Sequence, residues 1–445
     1  MSIRRLGWLG LIALVWAGCQ EKAPPRATEA AEDSLDVCWV NDAHLRRLYQ
    51  EMVLGRDTVG IIHIYSEYPD YGWVDDADEG VACVDDVARA AIFYVRQFQL
   101  NHNPADLDVA RKLLRFVLHL QADNGYFYNF VWADGQINRT FQTSVAEANW
   151  WSWRAGWALT ESIPVFRTED PALAARLEAS LNRLLTAWKA ELPTSTETKR
   201  VAGLTQPTWL PYGNAADQAS LLLLVLSSQC PGDSVLCNYA VQLGQGMLTM
   251  QLGTAATTQF PAGAFLSWEN TWHAWGNDQS YALLRASRTL PQPSWRAAAQ
   301  RELDHYYPQL LHREQLSAWN VAVQADTLAV LETETFPQIA YGIRPQVWAC
   351  LEAADLTQDT LYAARAGELA AWFLGQNRAH TPMYDPATGR GFDGLQSADN
   401  INRNAGAEST IEALLTLQAI EQHPVARRAL ARYGLPAPAV SASTD

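Results

Sequence analysis

Ala219-Ser220-Leu221-Leu222-Leu223-Leu224-Val225-Leu226 is apolar nearly all the way round a helical wheel, and a helix apolar on every side is buried on every side. Comparable segments start near residues 85, 145, 277, 345 and 405. A second kind of segment runs between them. Residues 106–121 place Ala110, Leu113, Leu114, Val117 and Leu118 on one face and interleave Arg111, Lys112 and Arg115, the pattern of a helix lying over a core. Similar patterns occur near 36–54, 171–191, 234–252, 294–311 and 358–376.

The alternation has a period. Asp86, Glu147, Asp217, Asp278, Arg344 and Glu408 stand at the starts of the apolar segments, separated by 61, 70, 61, 66 and 64 residues. Six helix pairs at this spacing predict an all-α fold, an (α/α)6 toroid of six helical hairpins with an inner ring wrapped by an outer ring. Inner helices this apolar favour a closed ring over an open solenoid. Strand signals are short, Ile61–Tyr65 and Gly125–Val131, the latter followed by the hairpin-type Asp134-Gly135, and they belong in loops as β-hairpins. At about 150 residues per domain the length suggests three domains. The repeat makes residues 36–430 one instead, with 431–445 as a tail.

Hydrophobic residues make up 48% and charged residues 18% of the 445, so the chain folds around a core. The formal charge of −15 argues against nucleic acid as a partner. Arg4 and Arg5 precede an uncharged run to Gly18 that is shorter than the ~20 residues of a spanning helix. It ends in Leu14-Val15-Trp16-Ala17-Gly18-Cys19, which resembles a bacterial lipoprotein signal. The reading is a leader over 1–18, a lipid on Cys19, a tether over 19–35 and a site at the cell envelope, with that lipid the only membrane contact. Among the remaining cysteines Cys230 with Cys237 and Cys38 with Cys83 are candidate pairs. No CxxC or Cys/His spacing suggests zinc. Asp75, Asp76 and Asp78 lack EF-hand spacing and are the one place where a loop calcium would sit; no other cofactor is expected.

Two local stretches carry a resemblance. Cys83-Val84-Asp85-Asp86-Val87-Ala88-Arg89-Ala90 resembles the T-D-D-N-A-R-A segment of bacterial toroidal carbohydrate proteins, with Val84 and Val87 in place of Thr and Asn. Asn402-Arg403-Asn404-Ala405-Gly406-Ala407-Glu408-Ser409-Thr410 resembles their N-x-N-x-G-A-E-S-T segment. With the six-fold repeat, the chain looks like the six-hairpin glycosidase superfamily, which implies a carbohydrate substrate.

In a toroid the N-terminal ends of the inner helices converge on one mouth. The loops that reach them here are rich in Trp, Tyr, Asn and Asp, as in Tyr71–Asp76, Phe265–Asp278 and Met383–Leu395. Aromatic faces beside carboxylates and amides suit a pyranose. Cleaving its glycosidic bond takes one carboxylic acid to protonate the leaving oxygen and a second carboxylate to activate water or form the covalent intermediate. The candidates, in order, are Asp86, Glu147, Asp278, Asp217 and Glu408, with Asp85 beside Asp86. Trp73, Tyr126, Trp150, Trp268, Trp272, His273, Asn277, Arg344, Asp393 and Asn404 are candidate sugar contacts. A plainer account competes for each acid: Ser144 to Glu147 matches a capping box, and any first-turn acid is favoured by the helix dipole. Trp157, Trp188, Trp348 and Trp372 sit at helix-interior spacing and read as core. The expected function is a lipid-anchored, monomeric glycoside hydrolase acting on an envelope or dietary oligo- or polysaccharide. A polysaccharide lyase, a sugar epimerase and a non-catalytic carbohydrate-binding lipoprotein are the alternatives. A lyase needs Arg or Lys against an acidic sugar, and an epimerase needs histidines in the mouth.

Overall fold

The computed structural model describes residues 38–193, 195–253 and 259–433. The leader, Cys19, the tether and most of the tail lie outside these residues.

Among the described residues α1 (Ala43–Leu48) precedes six hairpins. They are α2 (Val84–Asn101) with α3 (Pro104–His119), α4 (Trp150–Glu169) with α5 (Pro171–Ala190), and α6 (Ala216–Ser227) with α7 (Ser234–Thr249). Then come α8 (Gln279–Ala286) with α9 (Pro293–Arg301) and α10 (Tyr307–His312), α11 (Arg344–Thr357) with α12 (Thr360–Ala370), and α13 (Ala407–Glu421) with α14 (Pro424–Ala431). The first helix of each hairpin packs on the next: α2 on α4, α4 on α6, α6 on α8, α8 on α11, α11 on α13. Since α13 packs back on α2, the inner ring is closed.

Burial divides the helices as their composition requires. Every residue of α6 is buried, whereas α3 buries one face that includes Leu107, Ala110, Leu113, Leu114 and Val117. The outer helices α3, α5, α9 and α14 each open on a proline, at 104, 171, 293 and 424. Proline lacks the N–H that the first helical position leaves unbonded, and its φ is already helical.

Several expected boundaries move. The amphipathic pattern over 36–54 is helical only in α1; Tyr49–Leu54 turns at Gly55 and pairs as a strand with Asp57–Ile62. The stretch 125–131 is a strand only at Phe130–Val131, which pairs with Ala82–Cys83 just before α2. The fourth outer element contains a π-helical turn, Glu302–Tyr306, ahead of α10. Pro308 in the first turn of α10 has no N–H to give, and a widened turn accommodates such a gap. The largest sheet is three-stranded and antiparallel, Thr271–His273 beside Ala318–Gln324 beside Thr327–Glu334, with Trp272 opposite Trp319. None of the five described cysteines is paired. Cys83 caps α2 by accepting the Asp86 N–H, and Cys38 bonds Glu421, so these two serve different ends of the fold. Cys230 and Cys237 do adjoin as thiols; burial and its neighbour push Cys230 up to about 12.

Glu302 ties the fourth hairpin together. It is buried at 1% exposure and accepts from the Ser280 hydroxyl (2.6 Å) and the Phe265 N–H (2.9 Å). Burial with no cation pushes its carboxyl up to about 7. A carboxyl that holds its proton more tightly when folded stabilises fully below its unfolded value of about 4.5 and loses that contribution as pH rises to about 7. Denaturant unfolding at a series of pH values is expected to show this fall, of order 3 kcal/mol. Glu302→Gln, neutral throughout, is expected to flatten it. A Gln variant with the same slope would place the titration elsewhere.

Candidate active site

The N-terminal ends of α2, α4 and α13 border a cavity of about 450 Å3. Its lining includes Asp85, Asp86 and Arg89 from α2, Trp150 and Trp151 from α4, Glu408 and Ser409 from α13, and Tyr65, Glu79, Asn129 and Asp393 from the loops. The Phe130–Val131 strand holds Asn129 against α2, where its side-chain oxygen accepts the Asp85 N–H.

Arg89 organises the carboxylates. Its Nη2 reaches Asp85 Oδ2 at 2.9 Å, Asp86 Oδ1 at 2.7 Å and Glu408 Oε2 at 3.3 Å, while Nη1 donates to Glu412 at 2.8 Å. Arg89 is 1% exposed and Glu412 fully buried. The second oxygen of Asp85 accepts from Arg154 Nε at 3.0 Å. Arg344 takes the other oxygen of Glu412 and grips Asp278 through two parallel bonds of 2.9 Å. Three arginines thus meet five carboxylates. Tyr341 lies among the guanidinium groups, its ring centroid 5.1 Å from Arg89, 4.9 Å from Arg154 and 6.0 Å from Arg344.

The acids differ in environment. Glu408 exposes about two-fifths of its side chain to the cavity (42%), yet its proton affinity is pushed up to about 7. Low-polarity walls in place of bulk water are the main cause, Arg89 pulls the other way, and Asp86, Glu412 and Asp85 reinforce the rise. Asp86 is nearly buried and also raised by desolvation, opposed by Arg89; its Oδ2 accepts from the Cys83 thiol. Asp85 is more open, with 23% of its side chain exposed between two guanidinium groups. Asp393 is raised by burial and held by the Gly406 N–H and the Ser409 hydroxyl.

Of the candidates, Asp85, Asp86, Glu408, Trp150 and Asp393 share this cavity. The others go elsewhere. Glu147 does not begin a helix: the Ser144 hydroxyl accepts from Asn129 and Phe130 and gives its proton to Asn138, so no capping box forms. α4 starts instead at Trp150, and Glu147 is exposed beside Asn149 and Tyr212. Asp278 and Arg344 are fully buried in their mutual pair. Asp217 meets His273 Nε2 at 3.0 Å, and His273 Nδ1 meets the Trp275 carbonyl while its ring stacks on Trp275 at 4.0 Å. Asn277, next in that loop, is buried. Trp272 is core, stacked on Trp319, and Tyr126 is buried against Trp153. Trp73 stacks on His63 at 3.9 Å in a separate cavity, and Trp268 is 47% exposed. Asn404 accepts the Tyr68 N–H. Asp76 accepts the N–H groups of Asp78 and Glu79 to form its own turn.

Arg89, Arg154, Glu412 and Tyr341 are the residues that reading the sequence overlooked. One signal was present: an arginine inside an otherwise apolar helix is buried at a cost that only a paired carboxylate offsets.

No protein-family model and no curated protein matches the sequence. Solved structures do match in fold. One is a sugar epimerase from a ruminal bacterium, with a TM-score of 0.57 and 13% identity over 86% of this chain and 97% of that one. Another is a cellobiose 2-epimerase from Spirochaeta thermophila, at 0.54 and 14% over 82% and 91%. A third is a GH family 9 endoglucanase, at 0.50 and 12% over 85% and 78%. With its closed inner ring, the chain is an (α/α)6 toroid with the fold of the six-hairpin glycosidase superfamily.

Proposed function

We propose that the protein is a retaining glycoside hydrolase, with Glu408 as acid and Asp85 as the carboxylate that meets the anomeric carbon. The supporting observation is the shared nitrogen. Asp85 and Glu408 both bond Arg89 Nη2, which keeps their nearer oxygens within about 6 Å, closer than the ~6.5–9.5 Å that an inverting pair needs to admit water. Near neutral pH Glu408 still holds a proton to give to the leaving oxygen. Asp85, flanked by two arginines, attacks or stabilises the anomeric carbon. Glu408, now unprotonated, then takes a proton from the water that releases the sugar. Asp86 holds Arg89 in place, and Trp150 offers a ring to the sugar face. By its leader we place the enzyme at the cell envelope, anchored through Cys19 and acting on an envelope or dietary glycan.

The lining weighs against the other reactions. Five acids and one arginine face the cavity, so the carboxylate of an acidic lyase substrate meets net repulsion. No histidine is among the described residues that line it, which leaves an epimerase without its usual base.

The test is a panel of neutral oligo- and polysaccharides, followed by mass spectrometry and by proton NMR in the first minutes of reaction. Products that gain water and keep the substrate's anomeric configuration are expected. Inverted products would remove Asp85 from the role of nucleophile. Unsaturated products would make the enzyme a lyase.

A further inference from the structure

The toroid has a second opening. Where the inner helices end, they surround a cavity of about 580 Å3, within the range of small-molecule sites. All six inner helices contribute, with Arg96, Glu161, Ser227, Arg285, Glu352 and Ala419 one from each. The axis between the two openings is filled. Trp348 carries Arg344 on the side of the first site (4.8 Å) and Arg96 on the other (4.3 Å), and packs against Trp157 and Tyr281. The two cavities are therefore separate.

The lining has a particular chemistry. Arg96 donates to Glu161 at 3.2 Å, and Arg288 bonds Glu352 with Asp355 at 3.7 Å. The guanidinium of Arg285 makes no hydrogen bond and no ion pair of its own among the described residues. Its charge helps Arg96 hold the Glu161 carboxyl low, but its N–H donors are not taken by an acceptor among the described residues, and its planar fork matches a carboxylate or phosphate. Thr160, Ser227 and Ser228 give their hydroxyl protons to carbonyls of their own helices, Trp157, Leu224 and Val225. What remains of these hydroxyls is acceptor capacity, in Ser228 shared with the Gln229 amide that donates to it at 2.8 Å, and it suits ligand O–H donors.

We infer that this second cavity binds a small polyhydroxylated anion, a sugar acid or sugar phosphate, with its anionic group on Arg285 and its hydroxyls on Thr160, Ser227 and Ser228. Such a site is not catalytic and lies apart from the acid-lined mouth. It would let an end product of acidic-glycan breakdown be held by a protein whose own cleft repels acidic sugars.

Calorimetric titration of the full-length protein with D-glucuronate, D-glucose 6-phosphate and D-glucose tests this. At least one anion is expected to bind about tenfold more tightly than glucose, a difference of ~1.4 kcal/mol. Arg285→Gln, on an exposed side chain, is expected to abolish the difference. Asp86→Asn in the other cavity is expected to leave it unchanged. Which anion binds better identifies the source of the charge. The inference is overturned if glucose matches both anions, if none binds, if Arg285→Gln binds as the native protein does, or if Asp86→Asn removes the preference. None of these results bears on hydrolysis at the first site.

Discussion

Glu408→Gln is expected to lower kcat by about 10²–10⁴, the contribution of a positioned general acid, with KM little changed. The amide retains an oxygen for Arg89, so the fold and the placement of Asp85 survive and the loss reports on the proton. In the native enzyme Glu408 must be protonated when the bond breaks. Because its affinity is pushed up to about 7, the limb that it controls is full below that pH and declines as pH rises through it. The variant's residual activity is expected to lack that alkaline limb. A Gln variant with native kcat, or with the same limb, would transfer the acid's role to Asp86 or Asp393, the other cavity carboxyls raised by burial.

Arg344→Met is expected to be the most damaging single change to stability. Arg344 and both its partners, Asp278 and Glu412, are fully buried. Removing one member of a buried pair leaves charge uncompensated and costs about 3–5 kcal/mol. Denaturant unfolding measures that loss directly. Adding Asp278→Asn to Arg344→Met is expected to restore part of it, since the buried carboxylate whose ion pair was with Arg344 becomes neutral, while Glu412 still has Arg89. A single variant within about 1 kcal/mol of native would mean that water reaches the network, where exposed pairs contribute that little.

Periodicity by itself determined the architecture. A run such as Ala219–Leu226 has no polar side to turn to solvent, so it must lie inside. Six such runs, each followed by a helix with one apolar face, leave few arrangements other than a ring within a ring. Local rules failed where another partner bid for the same atoms. The Ser144 hydroxyl is claimed by Asn129, Phe130 and Asn138, which moved the start of α4 to Trp150 and left Glu147 outside the helix.

Which acids share a site was decided by the tertiary structure alone. Asp86 and Glu408 stand 322 positions apart and Arg89 and Glu412 are separated by 323, yet closure of α13 onto α2 puts these three acids around the Arg89 guanidinium. The same closure buries Asp278 against Arg344. In the sequence these acids look alike, each near the start of an apolar helix. Proton affinity and role follow from the local dielectric and the neighbouring charge, and those exist only once distant segments have packed together.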